Sequence, residues 1–361
     1  MENALSIDGD YQASQQRSAS LQRLFFPVQP GQGNYTYLGD LNNNGKQDEE
    51  EFQLARYSDQ GTYILLTIPS ETLTPTVDLR TSLRLRLTPS RLAISNPLHI
   101  FSPISLESFF RFEENSTDPT TADIYLLKLS TFLNDSLTIR GIKEYQQDIY
   151  LFENDPSSYR LRWHERTGAS HYTTGIERNY HRDVSVLARI RLGEEWMSEQ
   201  TVSYDQDIIA SNDLSTNRPQ DSKRYKITSN ISFEPFSSPF GFGLLLTLAK
   251  STDPIYLETT GATVDALTLS SRYNVTTQLR LRFEVGRNEF AAHTLPSVFL
   301  PYGLTDGLQP GVTWNWSLGG DQEISRGVLL NLKYEGRSEP GINGSDRHIT
   351  HVGRAEVRAA F

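Results

Sequence analysis

A twelve-residue stretch rich in oxygen-bearing side chains is the clearest candidate for chemistry in this chain of 361 residues. DLNNNGKQDEEE, residues 40 to 51, matches the calcium-loop pattern D-x-[DN]-x-[DN]-G-x5-E at every specified position. Ca²⁺ takes six to eight oxygen ligands, and this spacing can supply them, with Gly45 at the sharp turn. The expected ligands are the side chains of Asp40, Asn42, Asn44, Asp48 (directly or through water) and Glu51, and the backbone carbonyl of Lys46.

The surroundings of this loop differ from those of a sensor EF-hand. Gln47 stands where a paired EF-hand would carry an apolar residue, and neither flank has the pattern of a strong amphipathic helix. The loop is more similar to the isolated calcium loops of extracellular proteins. Because runs of Asn, Asp and Gly also form ordinary turns, a metal-free turn remains the alternative. A bound ion would rigidify the loop, which is a role in stability.

Catalytic motifs are missing from the sequence. It contains no G-x-S-x-G elbow, no H-E-x-x-H helix motif and no phosphate loop. The seven His residues are scattered, in two groups around predicted loops. We therefore expect that the chain is not an enzyme.

The elements that must position the loop are β-strands. In TTQLRLRFEVGRN, residues 276 to 288, apolar Leu and Phe side chains alternate with Arg and Glu, which places them on opposite faces of a strand. The same alternation recurs along the chain, and helical spacing fits it less well. Representative stretches are LRTSLRLRL (79 to 87), SYRLRWH (158 to 164), DVSVLARIRL (183 to 192), YKITSNISFE (225 to 234) and VLLNLKYE (328 to 335).

Two folds could use such strands. A soluble sandwich would cover the aliphatic face with a second sheet, whereas a membrane barrel would turn it to lipid. In the membrane case each arginine must face a wet interior, because Arg at a lipid-facing midplane position costs about 2–4 kcal/mol. Twelve arginines share the polar side of their strands: Arg80, Arg84, Arg86, Arg160, Arg162, Arg189, Arg191, Arg272, Arg280, Arg282, Arg354 and Arg358.

Loop lengths favour the barrel. Short turns such as ENDPSS, GEE, FSSP and NVT alternate with long polar loops at residues 114 to 135, 169 to 181, 209 to 221, 289 to 310 and 338 to 348. Outer-membrane barrels show this asymmetry between their two ends. We predict an all-β, antiparallel up-and-down transmembrane β-barrel of about 14 strands, complete or forming part of a larger barrel. Residues 79–361 would form it, and residues 1–78 would add a first strand and an outer segment that carries the calcium-type loop.

Composition narrows the function. A net charge of −10 without a basic stripe argues against nucleic-acid binding. The mean hydropathy of −0.47 and the lack of long apolar runs exclude helical membrane spans but not barrel strands. There is no Cys. The first residues do not have the pattern of a secretory signal, so we expect the chain to be the C-terminal piece of a longer precursor.

The end of the chain carries a family resemblance. In ITHVGRAEVRAAF, residues 349 to 361, the terminal Phe361 closes an amphipathic strand, which resembles the signal read by the barrel-insertion machinery of Gram-negative bacteria. Together with DIYLFEN, YRLRWHERT and PGQGNYTYLGDLNNNGKQDEEEF, this segment resembles the C-terminal β-barrel region of large, uncharacterised outer-membrane proteins. The resemblance implies an outer-membrane location, with membrane lipid and the insertion machinery as partners, and leaves open partners in secretion or surface assembly.

The functional expectation follows from these patterns. We predict an outer-membrane barrel that acts as a passive pore, a scaffold or a secretion-associated channel, with an interior lined by Arg and Glu. The alternative is a soluble, secreted all-β module that binds calcium and takes part in adhesion or glycan binding. Aromatic residues near strand ends are expected to form interfacial girdles. They are Trp163, Trp196, Phe236, Phe240, Tyr256, Trp314, Trp316 and Tyr334.

Overall fold

A computed structural model provides the fold of the chain. The structure describes residues 4–41, 43–55, 60–70, 73–91, 101–173, 175–211, 220–235, 238–254, 260–293, 304, 310–325, 327–341 and 346–359. The predicted ligand Asn42, the aromatic residues Phe236 and Tyr256, and the terminal Phe361 lie outside these residues.

Fourteen antiparallel strands form one sheet in which almost every strand pairs with its neighbours in sequence. The exception is the first strand, which pairs with the sixth across an inserted segment, and the first and last strands are the two edges of the sheet. The strands of the sheet are β1 (Leu5–Ser18), β6 (Thr74–Leu87), β7 (Ile104–Ser116), β8 (Thr138–Leu151), β9 (Ser158–His171), β10 (Ile176–Leu192), β11 (Trp196–Ser211), β12 (Gln220–Phe233), β13 (Phe240–Asp253), β14 (Thr260–Asn274), β15 (Leu279–His293), β16 (Gly311–Ser325), β17 (Val328–Glu339) and β18 (His348–Ala359). This architecture confirms the predicted all-β, up-and-down antiparallel class.

Strand register sorts the side chains into two faces. Residues directly opposite each other in paired strands share a face, and successive residues of one strand lie on opposite faces. The pair Leu85↔Ser108 therefore lies on one face and the pair Arg86↔Glu107 on the other. Followed from strand to strand, the register places all twelve predicted arginines on one polar face. That face also carries their carboxylate partners, as in the pair of Arg162 with Asp148 at 2.7 Å.

The other face, here called the outward face, is aliphatic and largely uncovered. Val186 is 48% exposed, Ile227 51% and Leu318 51%, although all three lie in the middle of long strands. No sheet packs against these residues in the described part of the chain. A soluble sandwich would have needed such a second sheet. The described aromatic residues of the predicted girdles also lie on the outward face: Trp163, Trp196, Phe240, Trp314, Trp316 and Tyr334.

The polar face is concave. A cavity of about 470 Å³ is lined both by Asn230 on β12 and by Lys333 on β17, which are five strands apart. A second cavity of about 860 Å³ lies between β14 and β18. Side chains from strands so far apart can enclose a common space only if the sheet curves around this face. Between β12 and β18 the charged residues therefore lie on the inside of the curve, here called the interior, and the aliphatic residues lie on its outside.

A second sheet of four strands lies in the segment between β1 and β6. Its strands are β2 (Leu21–Pro27), β3 (Tyr35–Tyr37), β4 (Phe52–Leu54) and β5 (Tyr63–Pro69), in the order β2-β5-β3-β4. The strand predicted at residues 62 to 68 corresponds to β5. We call residues 19–70 the cap, because both of its ends meet the end of the large sheet at which β1 stops and β6 begins.

Two of the predicted long loops have a different structure. Strand β9 continues to His171 and β10 begins at Ile176, so strand replaces most of the polar loop expected at 169 to 181. Residues 117–137 contain a short helix, α1 (Thr121–Tyr125), and bury Ile124, Phe132 and Leu133. The polar composition of both stretches concealed these features. We call residues 117–137 the flap.

Among the described residues, no helix has the length and apolar character that a membrane-spanning helix requires.

The orientation of the sheet can be tested at two adjacent positions of β10. Val186→Arg places a charge on the outward face and is expected to destabilise the folded protein in a bilayer by about 2–4 kcal/mol if it lies near the midplane. Ser185→Arg, its neighbour on the polar face, should change the free energy of unfolding by less than about 1 kcal/mol. Urea titration of both variants in lipid vesicles measures the difference. Equal losses of stability would contradict the assignment of the two faces.

Candidate functional site: the cap and the polar interior

The core of the cap is a cluster of aromatic rings. Phe25 and Phe52 stack with their centroids 3.9 Å apart, and Tyr63 meets Phe52 edge-on at 4.9 Å. The backbones of Gly33 and Gly61 approach so closely that a Cβ on Gly61 would lie 1.9 Å from the Gly33 carbonyl oxygen. Larger residues could not bring these two segments together. The cap is thus a small packed unit with its own core.

Arg23 on β2 ties the cap to the large sheet. Its guanidinium donates two hydrogen bonds to the Glu177 carboxylate on β10, at 2.8 and 3.0 Å, and also contacts Glu49. It donates to the Tyr172 hydroxyl and lies over the Tyr172 ring, 4.1 Å from the centroid. Only 19% of the Arg23 side chain is exposed. We call this group of four residues the Arg23 tether.

The electrostatics of the tether favour a permanently charged guanidinium. Burial by itself would lower the pKa of Arg23. The hydrogen bond to Glu177 and the negative charges of Glu49 and Glu177 outweigh that effect and raise the pKa above its usual value. A bidentate, charge-assisted contact of this kind also fixes orientation. The Arg23 guanidinium therefore stays charged at physiological pH.

The tether reaches across the polar face. Glu177 lies on that face, since it pairs with Ser170 and Ser211 in neighbouring strands. In the ladder β10 is five strands from β1, where the cap begins. The Thr173 amide adds a hydrogen bond of 2.9 Å to the Leu21 carbonyl. The cap consequently lies over the interior at this end of the sheet.

The predicted calcium ligands are brought together in part. The Asp40 carboxylate accepts hydrogen bonds from the amides of Asn44 at 3.1 Å and Gly45 at 2.8 Å. Asn44 donates from Nδ2 to Asp48 at 2.6 Å, and its Oδ1 accepts from the Lys46 amide at 2.7 Å. Gly45 has φ +73°, as the sharp turn requires. The Gly45 hydrogen bond is the main reason why the pKa of Asp40 lies below its usual value.

Glu51, the predicted bidentate ligand, points into the cap. It is fully buried and accepts hydrogen bonds from the Leu41 amide at 2.9 Å, the Asp48 amide at 3.2 Å and the Tyr37 hydroxyl at 3.2 Å. Within the described ranges, no three His, Asp or Glu side chains are arranged around one point as metal ligands. Calcium binding stays a prediction.

The interior contains polar networks that the sequence did not indicate. His164 lies 3.0 Å from Glu144 and His181 lies 2.6 Å from Asp207, and the two imidazole rings are 5.6 Å apart. These His residues belong to β9 and β10, whereas the sequence placed them around a loop. Strand register indicates the pair of His181 with Asp207, because these two residues are directly opposed. It does not indicate the contact of His164 with Glu144, because His164 lies opposite Gln146.

Charges of both signs line the two cavities of the polar face. In the larger cavity Arg280, Arg282 and Arg358 face Asp321, Glu323 and Glu356. Arg282 contacts Asp321, and Arg358 lies 2.7 Å from Glu356. Arg280 instead donates to the Asn274 side-chain carbonyl at 3.2 Å, and among the described residues it forms no ion pair within 4.0 Å. Arg280 thus differs from the other two arginines of this cavity, which both contact carboxylates.

Comparison with solved structures supports the fold class. No protein-family model and no curated protein matches the chain. The siderophore receptor PirA from Pseudomonas aeruginosa is similar over 79% of this chain and 47% of its own, with 9% identity and a TM-score of 0.50. The ferric-catecholate import receptor Fiu from E. coli K12 in its open form matches over 83% of this chain and 62% of its own, with 8% identity and a TM-score of 0.47. OmpT of Vibrio cholerae, expressed in the outer membrane, matches over 98% of this chain and 96% of its own, with 11% identity and a TM-score of 0.37.

At such low identities the likeness concerns the fold alone. The chain spans less than two thirds of the length of the two receptors. Of the three structures, PirA is similar enough to bear on the fold, and its likeness supports the outer-membrane β-barrel class that the strand pattern of this chain predicts. The uncovered aliphatic face of the sheet is consistent with this fold, because outer-membrane barrels turn such a face to lipid.

The Arg23 tether can be tested by removing its charge. Arg23→Met keeps most of the side-chain stem and leaves Glu49 and Glu177 without their cation. We expect the docking of the cap to weaken by about 2–3 kcal/mol, less than the ~3–5 kcal/mol typical of fully buried pairs because part of the side chain is exposed. Hydrogen exchange of the amides in Leu21–Pro27 measures the change.

A matched control for this variant is Arg189→Met. Arg189 pairs with Glu199 at 3.2 Å, but the two side chains are 48% and 34% exposed. Exposed pairs contribute about 0–1 kcal/mol, so exchange in the cap should stay as in the wild type. Unchanged exchange in the Arg23→Met protein would show that the tether does not hold the cap.

Proposed function

We propose that the chain forms a passive pore in the outer membrane for small hydrophilic solutes. The observation that carries this proposal is the charged, concave face with its cavities of about 860 and 470 Å³. A scaffold would have no use for an interior lined by so many arginines and carboxylates, whereas a water-filled passage tolerates them at little cost. The chain acts without catalysis in this proposal, since its sequence lacks recognisable catalytic motifs.

Arg280 supports a weak preference for anions. The other two arginines of the larger cavity have carboxylate partners, and the cavity carries equal numbers of basic and acidic side chains. A single charge about 8 Å from a solute in a watery passage contributes about 0.5 kcal/mol. Selectivity should therefore be modest and depend on this residue.

Conductance in planar bilayers tests the pore. The wild type should form channels, and Arg280→Gln should lower the ratio of anion to cation permeability by about two-fold. Lys250→Gln, which removes an exposed charge from the outward face, should leave the ratio unchanged. Absence of channels from correctly folded protein would refute the pore, and an unchanged ratio in Arg280→Gln would refute the role of Arg280.

The resemblance to the C-terminal region of large outer-membrane proteins leads to two further proposals. We propose that the chain is the C-terminal barrel region of a larger outer-membrane protein and that its last strand, ending at Phe361, is read by the barrel-insertion machinery. The amphipathic pattern of β18, with Ile349 and Val357 outward and Arg354 and Arg358 on the polar face, supports the second point. Secretion or surface-assembly partners would act at the end where the cap lies.

We further propose that the loop of residues 40–51 binds Ca²⁺. Asp40, Asn44 and Asp48 already lie within hydrogen-bonding distance of one another through the Asn44 side chain and amide. The ion would replace the amide hydrogen bonds of Asp40, and Glu51 would have to turn from its buried position toward the loop. Because Glu49 belongs to the Arg23 tether, an ordered loop would also steady the tether.

Calcium binding is tested by calorimetry on the folded protein. The wild type should bind one Ca²⁺ in the millimolar to micromolar range typical of extracellular and sensor sites. Asp40→Asn and Asp48→Asn should each weaken binding at least about ten-fold, whereas Asn43→Asp, at a position that supplies no ligand, should not. Asp48→Asn leaves the Asp40 hydrogen bonds intact, which separates lost ligation from a disordered loop. No heat of binding in the wild type would refute the site.

A further inference from the structure

The flap, residues 117–137, packs on the outward face rather than over the interior. Its Ile124, Phe132 and Leu133 are at most 6% exposed and form one cluster with Val77, Leu79 and Ala169 of the large sheet. Leu79 and Ala169 lie on the same, outward face. Leu79 is paired with Glu114, Glu114 with Gly141, and Gly141 with Ala169 in successive strands. The flap therefore covers part of the aliphatic surface that elsewhere is open to lipid.

Polar contacts fix the flap to this surface. The Tyr11 hydroxyl on β1 donates to the Tyr125 carbonyl at 2.9 Å, and Arg178 on β10 donates to the Leu133 carbonyl at 2.7 Å. The Leu133 amide donates to the buried Glu114 carboxylate at 3.1 Å. A Cβ on Gly141 would lie 2.5 Å from the Leu133 side chain, so the glycine leaves room for the flap. These contacts span the sheet from β1 to β10.

The position of the flap relative to the apolar band follows from β6, the strand that it covers. On β6 the outward aliphatic residues run from Val77 to Leu87, about 33 Å along the strand. A strand tilt of about 40° reduces this to about 25 Å along the membrane normal, the usual height of the apolar band of a barrel. The flap buries the upper part of that band, at Val77 and Leu79, while Leu83 stays exposed.

The outer surface of the flap is itself apolar. Leu126 is 80% exposed and Leu129 42%. The adjacent Leu127 has φ +55° and Leu133 has φ +62°, left-handed conformations that cost about 1–3 kcal/mol each in a residue with a side chain. This backbone turns Leu127 and Leu133 toward the sheet and leaves Leu126 pointing away from it. In water this arrangement would expose a large aliphatic side chain without compensation.

We propose that the flap is an interfacial lipid anchor, in which Leu126 and Leu129 insert into the bilayer that surrounds the barrel. The flap, rather than lipid, covers Val77 and Leu79. In their place, its own Leu126 and Leu129 contact the lipid. Tyr11, which donates to the flap at the Tyr125 carbonyl, is itself exposed on the outward face, as is Leu83. The anchor rests on the orientation of the sheet and not on the pore.

Spin labels at single cysteines test the anchor, because the native chain has no Cys. Leu126→Cys and Leu129→Cys are labelled with a nitroxide in the full chain, folded into vesicles of phosphatidylethanolamine and phosphatidylglycerol. Val186→Cys, on the outward face, is the lipid reference, and Leu41→Cys, 40% exposed in the cap, is the water reference. Collisions with oxygen, which concentrates in lipid, are compared with collisions with a water-soluble nickel chelate.

The expected result is an oxygen-to-nickel accessibility ratio at Leu126 and Leu129 close to that at Val186 and well above that at Leu41. Ratios equal to that of Leu41, with Val186 still in lipid, would overturn the anchor while leaving the barrel intact. An aqueous ratio at Val186 would overturn the anchor together with the orientation of the sheet. Folding of each labelled variant is checked by its migration on a gel before and after heating.

Discussion

The structure depends on one constraint, the hydrogen-bonded ladder of a long antiparallel sheet in an apolar solvent. Lipid offers no partner for backbone amides and carbonyls, so each strand must pair with its neighbours. Once paired, side chains alternate strictly between two faces, and a shift of one residue would bring the arginines into lipid. The same division between a charged interior and an aliphatic exterior is therefore repeated in every strand.

Most of the large sheet could be predicted from the sequence for that reason. Alternation in segments such as 79 to 87 and 276 to 288 identifies strands, and the arginines show which face is wet. The boundaries of β9 and β10 could not be predicted, because near the turn that joins them both faces carry polar residues and alternation gives no signal. Residues such as Arg178 and Arg182 on the outward face mark this region.

The cap and the flap lay beyond sequence reasoning for a different reason. Arg23 and Glu177 are separated by 154 residues, and nothing local distinguishes them from other charged residues. The flap has the composition of a polar loop, and its buried Ile124 and Phe132 find partners on strands that come before and after it. The calcium-type loop shows the opposite case. Its spacing is visible in the sequence, yet its side chains are occupied by hydrogen bonds with one another and with the backbone.

The position of the tether has a consequence for assembly. The cap lies between β1 and β6 in the sequence, whereas Tyr172 and Glu177 of the Arg23 tether lie in the hairpin formed by β9 and β10. The cap can be seated only after that hairpin has joined the growing sheet. Docking of Arg23 therefore needs contacts with a hairpin that lies more than one hundred residues further along the chain, so the cap and the large sheet cannot be completed independently.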